Sequence, residues 1–440
     1  MNGWEMVKIK DIVKGFYDGP HATPKESDTG AVFLGIGNIK PEGGIDLSDI
    51  RYIAMEDFAL WTRRVKPRKN DIVFSYEATL HRYALIPDDL LCCLGRRLAL
   101  IRVDDTKADF RFIYYTLLSP FWKNQIESRL IAGATVERIP LIEFPNFQLP
   151  LPPLPIQRRI ADILGRYDAL IANYQQQIST LEGMAQELYR EWFVRGRCPH
   201  AEPGEDGGLP VGWRVGKLRE IISHYIGGGW GNDEPSADFP IGAYVIRGTE
   251  IPNLKQGQIN SEVYRYHKLS SVESRQLAAG DIVFEVSGGS IDQPLGRNAL
   301  ITDEILKQYG DTVICASFCK QIRADGAVTS SYYLQLLFDQ LLETQEMNQF
   351  EVQSTGISNF RFEDLLDYQP VLLPVKHVLD SFDKIVSPIR KKVGVLNIQL
   401  TTLRQTRDAL LPRLLSGQLS VEEEKFGSVN GREETDYSQL

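Results

Sequence analysis

The most regular pattern of apolar and polar positions lies in residues 160–192, where apolar side chains recur at alternating intervals of four and three. This spacing puts them on one face of an α-helix and is typical of a coiled-coil seam. At about 1.5 Å per residue the helix is roughly 48 Å long, which favours a strut over the cover of a single core. The seam positions are Ile160, Leu164, Tyr167, Ile171, Tyr174, Ile178, Leu181, Ala185, Leu188 and Trp192.

A second ladder with the same spacing begins 222 residues later. Either ladder alone fits ordinary core packing, but two ladders in matched register predict that the helices pair with each other. Pro388 lies in the second ladder and predicts either a kink there or the true start of that helix. The second set of positions, in which only Arg407 is not apolar, is Phe382, Val386, Ile389, Val393, Leu396, Leu400, Leu403, Arg407, Leu410 and Leu414.

The repeat extends beyond the helices. VFLGIGNI (32–39) is matched by YVIRGTEI (244–251), and NDIVFS (70–75) by GDIVFE (280–285). ALIRVD (99–104) and FIYYTLL (112–118) have counterparts in KQIRAD (320–325) and SYYLQLLF (331–338). A period above 200 residues indicates a duplicated domain and not a solenoid of short repeats.

In each copy the pattern predicts short strands rich in β-branched or aromatic residues, one helix near the end of the copy, and a proline-rich strand before the long helix. The predicted fold class is α+β, with two globular domains of mixed sheet and helices separated by two long helices. The predicted boundaries are a first domain over 1–154, a long helix over 155–195, a Gly- and Pro-rich linker over 196–211, a second domain over 212–374, a second long helix over 375–419, and an acidic, disordered tail over 420–440.

Charge argues against a simple nucleic-acid binder, because the chain has a net charge of -9 and phosphate contacts need Lys and Arg. Residues 1–155 hold 20 basic and 20 acidic side chains, whereas residues 212–374 hold 13 basic and 21 acidic. Any DNA-binding surface is therefore a local patch. The five cysteines lack C-x-x-C spacing and no apolar run reaches membrane-spanning length, so we expect a reduced, cytoplasmic protein without a cysteine metal site.

Three segments carry a resemblance to a known family. LPLPPLPIQRRIADIL (149–164) and LRQTRDALLPRLLSGQLS (403–420) resemble the opening and closing helical segments of the specificity subunit of type I restriction-modification enzymes. The paired NDIVF and GDIVF strands are similar to a strand in each of its target-recognition domains. The resemblance covers about residues 3–420, although VLLPVKHVLDSF (371–382) lacks the Gln-Arg-Arg-Ile stretch of the first copy.

The resemblance implies two target-recognition domains at opposite ends of an antiparallel helix pair, each reading one half of a split double-stranded DNA target. A strut of roughly 48 Å covers about 14 base pairs, so the untouched gap would be set by helix length. In the family, two methyltransferase (modification) subunits carry the S-adenosylmethionine chemistry, and restriction subunits add ATP- and magnesium-dependent translocation and cleavage. We therefore expect this chain to be non-catalytic and to hold no cofactor or metal of its own.

Two alternatives remain open at this point. FLGIG (33–37) matches the F-x-G-x-G loop of adenine methyltransferases, but the chain has no Asn/Asp-Pro-Pro-Tyr/Phe loop to hold a target adenine. GGGWGN (227–232) and SGGS (287–290) do not continue into a phosphate-binding G-K-S/T. The second alternative is a duplicated protein-protein scaffold without DNA contact, which the acidic balance favours.

Candidate DNA-binding residues are taken from polar loops beside the predicted strands, since Arg and Lys suit phosphates while Arg, Asn, Gln and hydroxyl groups suit base edges. The alternative for each is a solvated surface or turn. In the first copy they are His21, Arg63, Arg64, Lys66, Lys69, Tyr76, Thr79, His81, Arg82, Thr135 and Arg138. In the second copy they are Trp230, Asn232, Arg247, Ser287, Ser290, Gln293, Arg297, Ser354, Thr355, Asn359 and Arg361.

Overall fold

The computed structural model describes residues 4–130, 136–255, 259, 263–288, 295–354 and 357–421. The chain divides into two compact units: the first unit comprises Met1–Ala169 and Arg404–Leu440, and the second comprises Leu170–Leu403. Each unit thus contains one copy of the predicted module together with parts of both long helices. The acidic tail after residue 421 lies outside the described residues.

The first unit is built on two small sheets. Its strands and helices are β1 (Glu5–Lys8), α1 (Ile9–Ile12), β2 (Val13–Asp18), β3 (Ala31–Leu34), β4 (Tyr52–Ile53), α2 (Phe58–Trp61), β5 (Ile72–Ser75), β6 (Tyr83–Leu85), β7 (Cys92–Leu94), β8 (Leu98–Val103), α3 (Phe110–Leu118), α4 (Pro120–Glu127), β9 (Gln148–Leu151) and the start of α5 (Leu154–Tyr189). Four antiparallel strands lie in the order β2-β8-β5-β6, and β3 pairs antiparallel with β4 and parallel with β7.

The second unit repeats this plan. Its elements are β10 (Arg214–Lys217), β11 (Ile222–Gly227), β12 (Ile241–Ile246), α6 (Ile251–Lys255), β13 (Tyr264–His267), α7 (Leu269–Arg275), β14 (Asp281–Glu285), β15 (Ser287–Gly288), β16 (Asn298–Leu300), α8 (Asp303–Tyr309), β17 (Val313–Cys315), β18 (Cys319–Ala324), α9 (Ser331–Glu343), β19 (Glu351–Ser354), β20 (Ile357–Phe360), α10 (Phe362–Tyr368), β21 (Pro370–Leu373) and α11 (Lys376–Leu415). The sheets β11-β18-β14-β16 and β13-β12-β17 correspond to those of the first unit, and β15-β20-β19 is a further small sheet.

The predicted duplication and the α+β fold class are confirmed. In both copies the chain's opening strand pairs antiparallel with the proline-rich strand before the long helix, β1 with β9 and β10 with β21. The NDIVF and GDIVF motifs form the buried strands β5 and β14, which contain no exposed residue because sheet and helices cover both faces.

An ion pair on a buried aspartate accounts for the recurrence of two motifs together. Asp71, which precedes β5, accepts two hydrogen bonds from Arg102 of β8, at 2.8 and 2.7 Å. Asp281 at the start of β14 accepts the same pair from Arg323 of β18, at 2.7 and 2.9 Å. The Asp of the (N/G)DIVF motif and the Arg of the IRxD motif therefore form one bidentate contact in each copy.

The two long helices run antiparallel in each unit. In the first unit, Ile160 and Leu164 near the start of α5 share a core with Leu410 and Leu414 near the end of α11. In the second unit the end of α5 packs on the start of α11, where the Trp192 ring lies 5.7 Å from the Phe382 ring. In an antiparallel pair the start of one helix lies against the end of the other, as observed here.

The seam residues distribute over three clusters. Those of the first unit, Ile160, Leu164, Leu410 and Leu414, belong to its domain core. In the second unit a separate interhelical cluster contains Ile171, Tyr174, Ile178, Leu181, Val393, Leu396, Leu400 and Leu403. The remaining second-unit positions, Ala185, Leu188, Trp192, Phe382, Val386 and Ile389, join the core of the second domain; Tyr167 is half-buried.

The single polar position in the ladders has a partner on the facing helix. An Arg407 Nη donates to a carboxylate oxygen of Asp168 at 2.9 Å, and the Tyr115 hydroxyl donates to the other oxygen of Asp168 at 2.7 Å. Arg407 therefore replaces an apolar contact of the first unit by an ion pair between α11 and α5, and the Tyr115 hydrogen bond ties α3 to the same aspartate.

The expectation that α11 begins at Pro388 is wrong, since the helix runs without interruption over Lys376–Leu415. Phe382 and Val386 before the proline are buried in the domain core and Ile389 after it packs on the same core, so tertiary contacts hold the helix across the missing N–H donor. Helix α5 ends at Tyr189, continues as a π-helical turn over Arg190–Val194, and is followed by Gly196 with φ of 67°. A left-handed glycine there is a helix stop.

Candidate nucleic-acid interface

The loop that joins β5 to β6 in the first unit is backbone-strained. Ala78 and His81 have φ of 71° and 62°, a left-handed conformation that costs L-residues of order 1–3 kcal/mol. Neighbouring backbone holds the loop, since the Ala78 N–H donates to the Glu137 carbonyl at 3.0 Å. Strain that is held in this way concentrates at ligand-binding loops, and this loop carries the predicted residues Thr79 and Arg82.

Glu77 organises the charges at the base of this loop. Its carboxylate lies 2.6 Å from an Nη of Arg138 and 3.6 Å from Nε of Arg97. One carboxylate thus faces two guanidinium groups, and positive charge remains in excess. His81, on the same loop, has its pKa lowered mainly by burial.

A second group of predicted residues gathers around Asp18, at the end of β2. Its carboxylate accepts a hydrogen bond from Arg64 at 2.5 Å and lies 2.9 Å from Nε2 of His21. Arg64 also donates to the Gly19 carbonyl at 3.3 Å. The structure therefore brings one part of the basic segment 61–69 onto the segment 17–25, two of the polar stretches named from the sequence.

A third feature, which we call the arginine pocket, was not predicted. Its lining residues are Ala22, Thr23, Phe33, Gly35, Ile36, Arg51, Gly95, Arg96, Arg97 and Leu98. The cavity measures about 220 Å³. The feature of the sequence that could have predicted the pocket is Gly-Arg-Arg between β7 and β8, because a glycine and two cations between two strands indicate a charged turn.

Other predicted residues of the first copy are engaged elsewhere. Tyr76 is only 2% exposed and its hydroxyl donates to the Arg96 carbonyl at 2.7 Å; burial raises its pKa. Lys69 donates to Asp88 at 2.7 Å, Arg82 donates to the Ile39 carbonyl at 2.7 Å, and Lys66 lies over the Phe58 ring. Arg63 and Thr79 are exposed, and Thr135 lies outside the described residues.

In the second copy, several candidates meet on the small sheet β15-β20-β19. Ser287 pairs with Asn359 across this sheet, and its hydroxyl donates to the Asn359 side-chain oxygen at 3.1 Å. Ser354 lies on the neighbouring strand opposite Ile357. Asn359 is exposed, whereas Ser287 is buried. Ser290, Gln293 and Thr355 lie outside the described residues.

The arginines named in the second copy all have acidic partners. Arg297 makes a bidentate contact with Glu285, at 2.7 Å for both bonds, and Arg247 donates to Glu250 at 2.7 Å. Arg361 lies 3.1 Å from a carboxylate oxygen of Asp364. Their positive charges are therefore largely neutralised within the unit.

Trp230 and Asn232 lie on the loop after β11. The Arg265 guanidinium stacks over the Trp230 ring at 4.7 Å from its centre, and the same guanidinium contacts Asp233. Asn232 exchanges backbone hydrogen bonds with Tyr266 at 2.9 Å in both directions. Beside them His267 is 2% exposed, and its pKa is lowered by burial and by Arg265 and Arg275.

Groups suited to metal or thiol chemistry are sparse over the described ranges. No cluster of three or more His, Cys, Asp or Glu side chains there is arranged to hold a metal ion. All five cysteines are buried, and burial raises the pKa of the Cys92 thiol to about 12. Among the described helices, none is both long enough and apolar enough to cross a bilayer.

Fold and surface together define a class: a duplicated α+β module with polar loops at equivalent strand ends and two long helices shared between the copies. Comparison with known proteins shows what the chain is similar to. Residues 1–183 match the type I restriction modification DNA specificity domain. The chain is 23% identical over 447 residues to the MjaIX type I restriction enzyme specificity subunit of Methanocaldococcus jannaschii, covering 96% of this chain and 94% of that protein.

Two further similarities agree. The MjaVIII type I restriction enzyme specificity subunit of the same organism is 30% identical over 238 residues, or 48% of this chain and 53% of that protein. The crystal structure of the S subunit of a type I restriction-modification system from M. genitalium has a TM-score of 0.56 at 15% identity, covering 94% and 96% of the two chains. The chain is therefore similar over nearly its whole length to a type I restriction enzyme specificity subunit, and its fold is that of the M. genitalium S subunit.

Proposed function

We propose that this chain is the DNA-recognition subunit of a type I restriction-modification complex, with each copy of the module reading one half of a split target. The observation that carries the proposal is the duplication itself, in a chain whose first copy matches a DNA specificity domain. Equivalent strands β5 and β14 in the two copies are followed in the sequence by segments rich in polar residues. Two copies of one reading module suit a target with two half-sites.

The long helices are proposed to dock two methyltransferase subunits and to set the gap between the half-sites. Exposed large apolar side chains on the second unit's helices support a docking role, because a bound partner would bury such side chains. On α5, Leu170 and Met184 are exposed, and on α11 so are Ile385, Val395 and Ile398.

The chain itself is proposed to catalyse nothing. S-adenosylmethionine, ATP and magnesium would act in the partner subunits, and the contribution of this chain is to bind DNA and hold those subunits in register. The segment FLGIG, which suggested a methyltransferase, forms the end of β3 and a short 3-10 turn. That location is the same as that of its counterpart in the second copy, where Arg247 and Thr249 stand in place of the two glycines.

The test is reconstitution of the full chain with its modification subunits, followed by sequencing of the methylated positions. A split site and salt-dependent binding to it are expected. Methyl transfer by the chain alone would instead support the methyltransferase alternative. A complex that forms but binds DNA with no preferred site and no salt dependence would support the scaffold, the alternative favoured by the acidic composition of the second copy.

A further inference from the structure

The arginine pocket carries more positive charge than its surroundings neutralise. Arg51 lies 5.1 Å over the Phe33 ring and 3.8 Å from the nearest carboxylate, that of Glu26. Arg96 is exposed and forms no ion pair with any described residue. Arg97 shares Glu77 with Arg138. Four guanidinium groups therefore have two carboxylates nearby, and none of the described residues that line the cavity is acidic.

Donor groups are also left unused. The guanidinium groups of Arg51 and Arg96 line the cavity and donate no hydrogen bond to any described residue. Guanidinium donors form strong, charge-assisted hydrogen bonds with anionic oxygens. The pocket therefore offers both net positive charge and unmet donors, which together suit an anionic oxygen ligand.

Glycine keeps the pocket open. A side chain at Gly35 would begin 3.2 Å from Nη2 of Arg51, and one at Gly95 would lie 2.6 Å from the Leu34 carbonyl oxygen. Because glycine has no side chain, the backbone walls of the pocket at Gly35 and Gly95 are not obstructed. A ligand can approach both the walls and the guanidinium groups.

Backbone hydrogen bonds identify the matching place in the second copy. The Arg97 carbonyl accepts from the Tyr76 N–H at 3.1 Å, and the Phe318 carbonyl accepts from the Val286 N–H at 2.9 Å. Arg97 therefore corresponds to Phe318, and Arg96 corresponds to Ser317. Phe318 is 60% exposed, so an apolar ring occupies the site of a cation.

The side of the pocket formed by Arg51 also loses its positive charge in the second copy. The Arg51 carbonyl accepts from the Phe33 N–H at 2.8 Å, and the Val263 carbonyl accepts from the Val245 N–H at 2.9 Å. Arg51 therefore corresponds to Val263. All three arginines of the pocket are replaced by uncharged residues in the second copy.

At one position the second copy has an arginine where the first copy has an uncharged residue. Gly35 and Arg247 each donate their backbone N–H to a side chain three residues later, to Asn38 at 2.9 Å and to Glu250 at 2.8 Å. The second copy thus gains Arg247 where the first has the open wall of the pocket. The side chain of Arg247 is paired with Glu250, so it does not restore a free cation.

We infer that the arginine pocket binds a backbone phosphate of the half-site read by the first copy, and that the second copy has no equivalent anion site. The inference rests on the proposed function. Arginine also recognises the neutral acceptor edge of guanine, but an excess of positive charge without a lining carboxylate favours a formal anion.

The test compares the wild-type complex, reconstituted with its modification subunits, with the complex carrying Arg51→Ala and Arg96→Ala. Binding is measured by fluorescence anisotropy over a range of salt concentrations, on a duplex with the target and on a scrambled duplex. Loss of one phosphate contact should weaken binding roughly tenfold or more. It should reduce the slope of log affinity against log salt by about one on both duplexes.

Two control variants separate position from charge. Val263→Ala with Ser317→Ala changes the matching positions of the second copy without removing charge. Lys8→Ala with Lys10→Ala removes the same charge from exposed positions of the first unit that do not line the pocket. Both should keep the wild-type slope, and thermal unfolding of each variant checks that the first unit remains folded.

An unchanged slope in the folded arginine variant would overturn the inference while leaving the proposed function intact, since the wild type would still bind. A loss confined to one base pair of the target would also overturn it, because that result identifies a base contact. The proposed function itself fails if the wild-type complex shows no salt-dependent preference for the target duplex over the scrambled one.

Discussion

At the scale of single residues, the most consequential contact of the scaffold is the buried pair of Asp71 and Arg102. Asp71 is 2% exposed, so Asp71→Ala leaves a largely buried guanidinium without its counter-charge. Breaking a buried pair in this way costs about 3–5 kcal/mol. We expect urea unfolding of the first unit to show a loss of that size.

The control for this prediction is another aspartate of the same domain. Asp88 is exposed and its ion pair with Lys69 is a surface one, so Asp88→Ala should cost less than about 1 kcal/mol. Equal losses in the two variants would show that burial of the Asp71 pair is not what makes it important.

A second residue-scale prediction concerns pH. Burial, with Arg265 and Arg275, lowers the pKa of His267 below its ordinary value of 6.5. As the pH falls through about 6.5, the unfolded chain takes up a proton that the folded chain does not, so acid reduces the free energy of unfolding. Between about pH 7 and pH 5.5 the second unit should lose stability, and His267→Gln should lose less over that interval.

The matched control is His224→Gln, which changes an exposed histidine of the same unit. Urea unfolding of each variant at several pH values gives the slopes. If the His267 variant has the same pH slope as the wild type and the His224 variant, the buried imidazole is not the source of acid sensitivity.

At the scale of elements, the interhelical cluster of the second unit predicts the effect of charge in the seam. Ile178 is 5% exposed and Leu400 is 2% exposed. Ile178→Asp with Leu400→Asp would place two like charges in an apolar contact, and each substitution should cost several kcal/mol. We expect circular dichroism to show earlier melting of helix and proteolysis to cut α5 and α11.

Positions one residue away provide the comparison. Ser179 and Gln399 are exposed on the same two helices, and Ser179→Asp with Gln399→Asp adds the same charge outside the seam. If both double variants melted at the same temperature, the apolar contacts between the two helices would not be the source of stability in this cluster.

The elements were largely predictable because their signals are local. The spacing of Ile171, Ile178 and their neighbours specifies a helix and its apolar face, and the recurrence of DIVF specifies equivalent strands. The behaviour at Pro388 was not predictable, since the local rule favours a break. Phe382 and Ile389 pack on the domain core, and many residues of that core lie far away in the sequence. This packing keeps the helix continuous through Pro388.

The surface was less predictable for the same reason. Tyr76 reads as a polar loop residue but is buried, while Arg51 and Arg96 stand 45 positions apart in the sequence and line one cavity. Charge at a site depends on partners contributed by other strands. Arg247 and Arg297 resemble free cations in the sequence, and only the fold shows that Glu250 and Glu285 face them.

At the scale of the whole molecule, the proposed spacer role predicts a change of target. Insertion of seven helical residues at facing positions in α5 and α11 adds about two helical turns, or roughly 10 Å, and nearly keeps the angular register. That length corresponds to about three base pairs of DNA. Sequencing of methylated sites should show unchanged half-sites and a gap longer by about that amount.

An insertion of the same length in the linker over residues 196–211 is the control, and it should leave the gap unchanged. A gap that stays constant after the paired helix insertions would exclude the helices as the spacer. The half-sites test the reading modules independently, because a module that folds normally should keep its own sequence preference.

By itself the sequence determined the duplicated modules, the two long helices and the resemblance to specificity subunits, because periodicity and motif spacing are properties of neighbouring residues. The tertiary structure decided which charges are neutralised, which polar residues are buried, and where Arg51, Arg96 and Arg97 come together. These depend on contacts between strands distant in the chain. Two copies with the same backbone plan therefore present different chemistry at the same place.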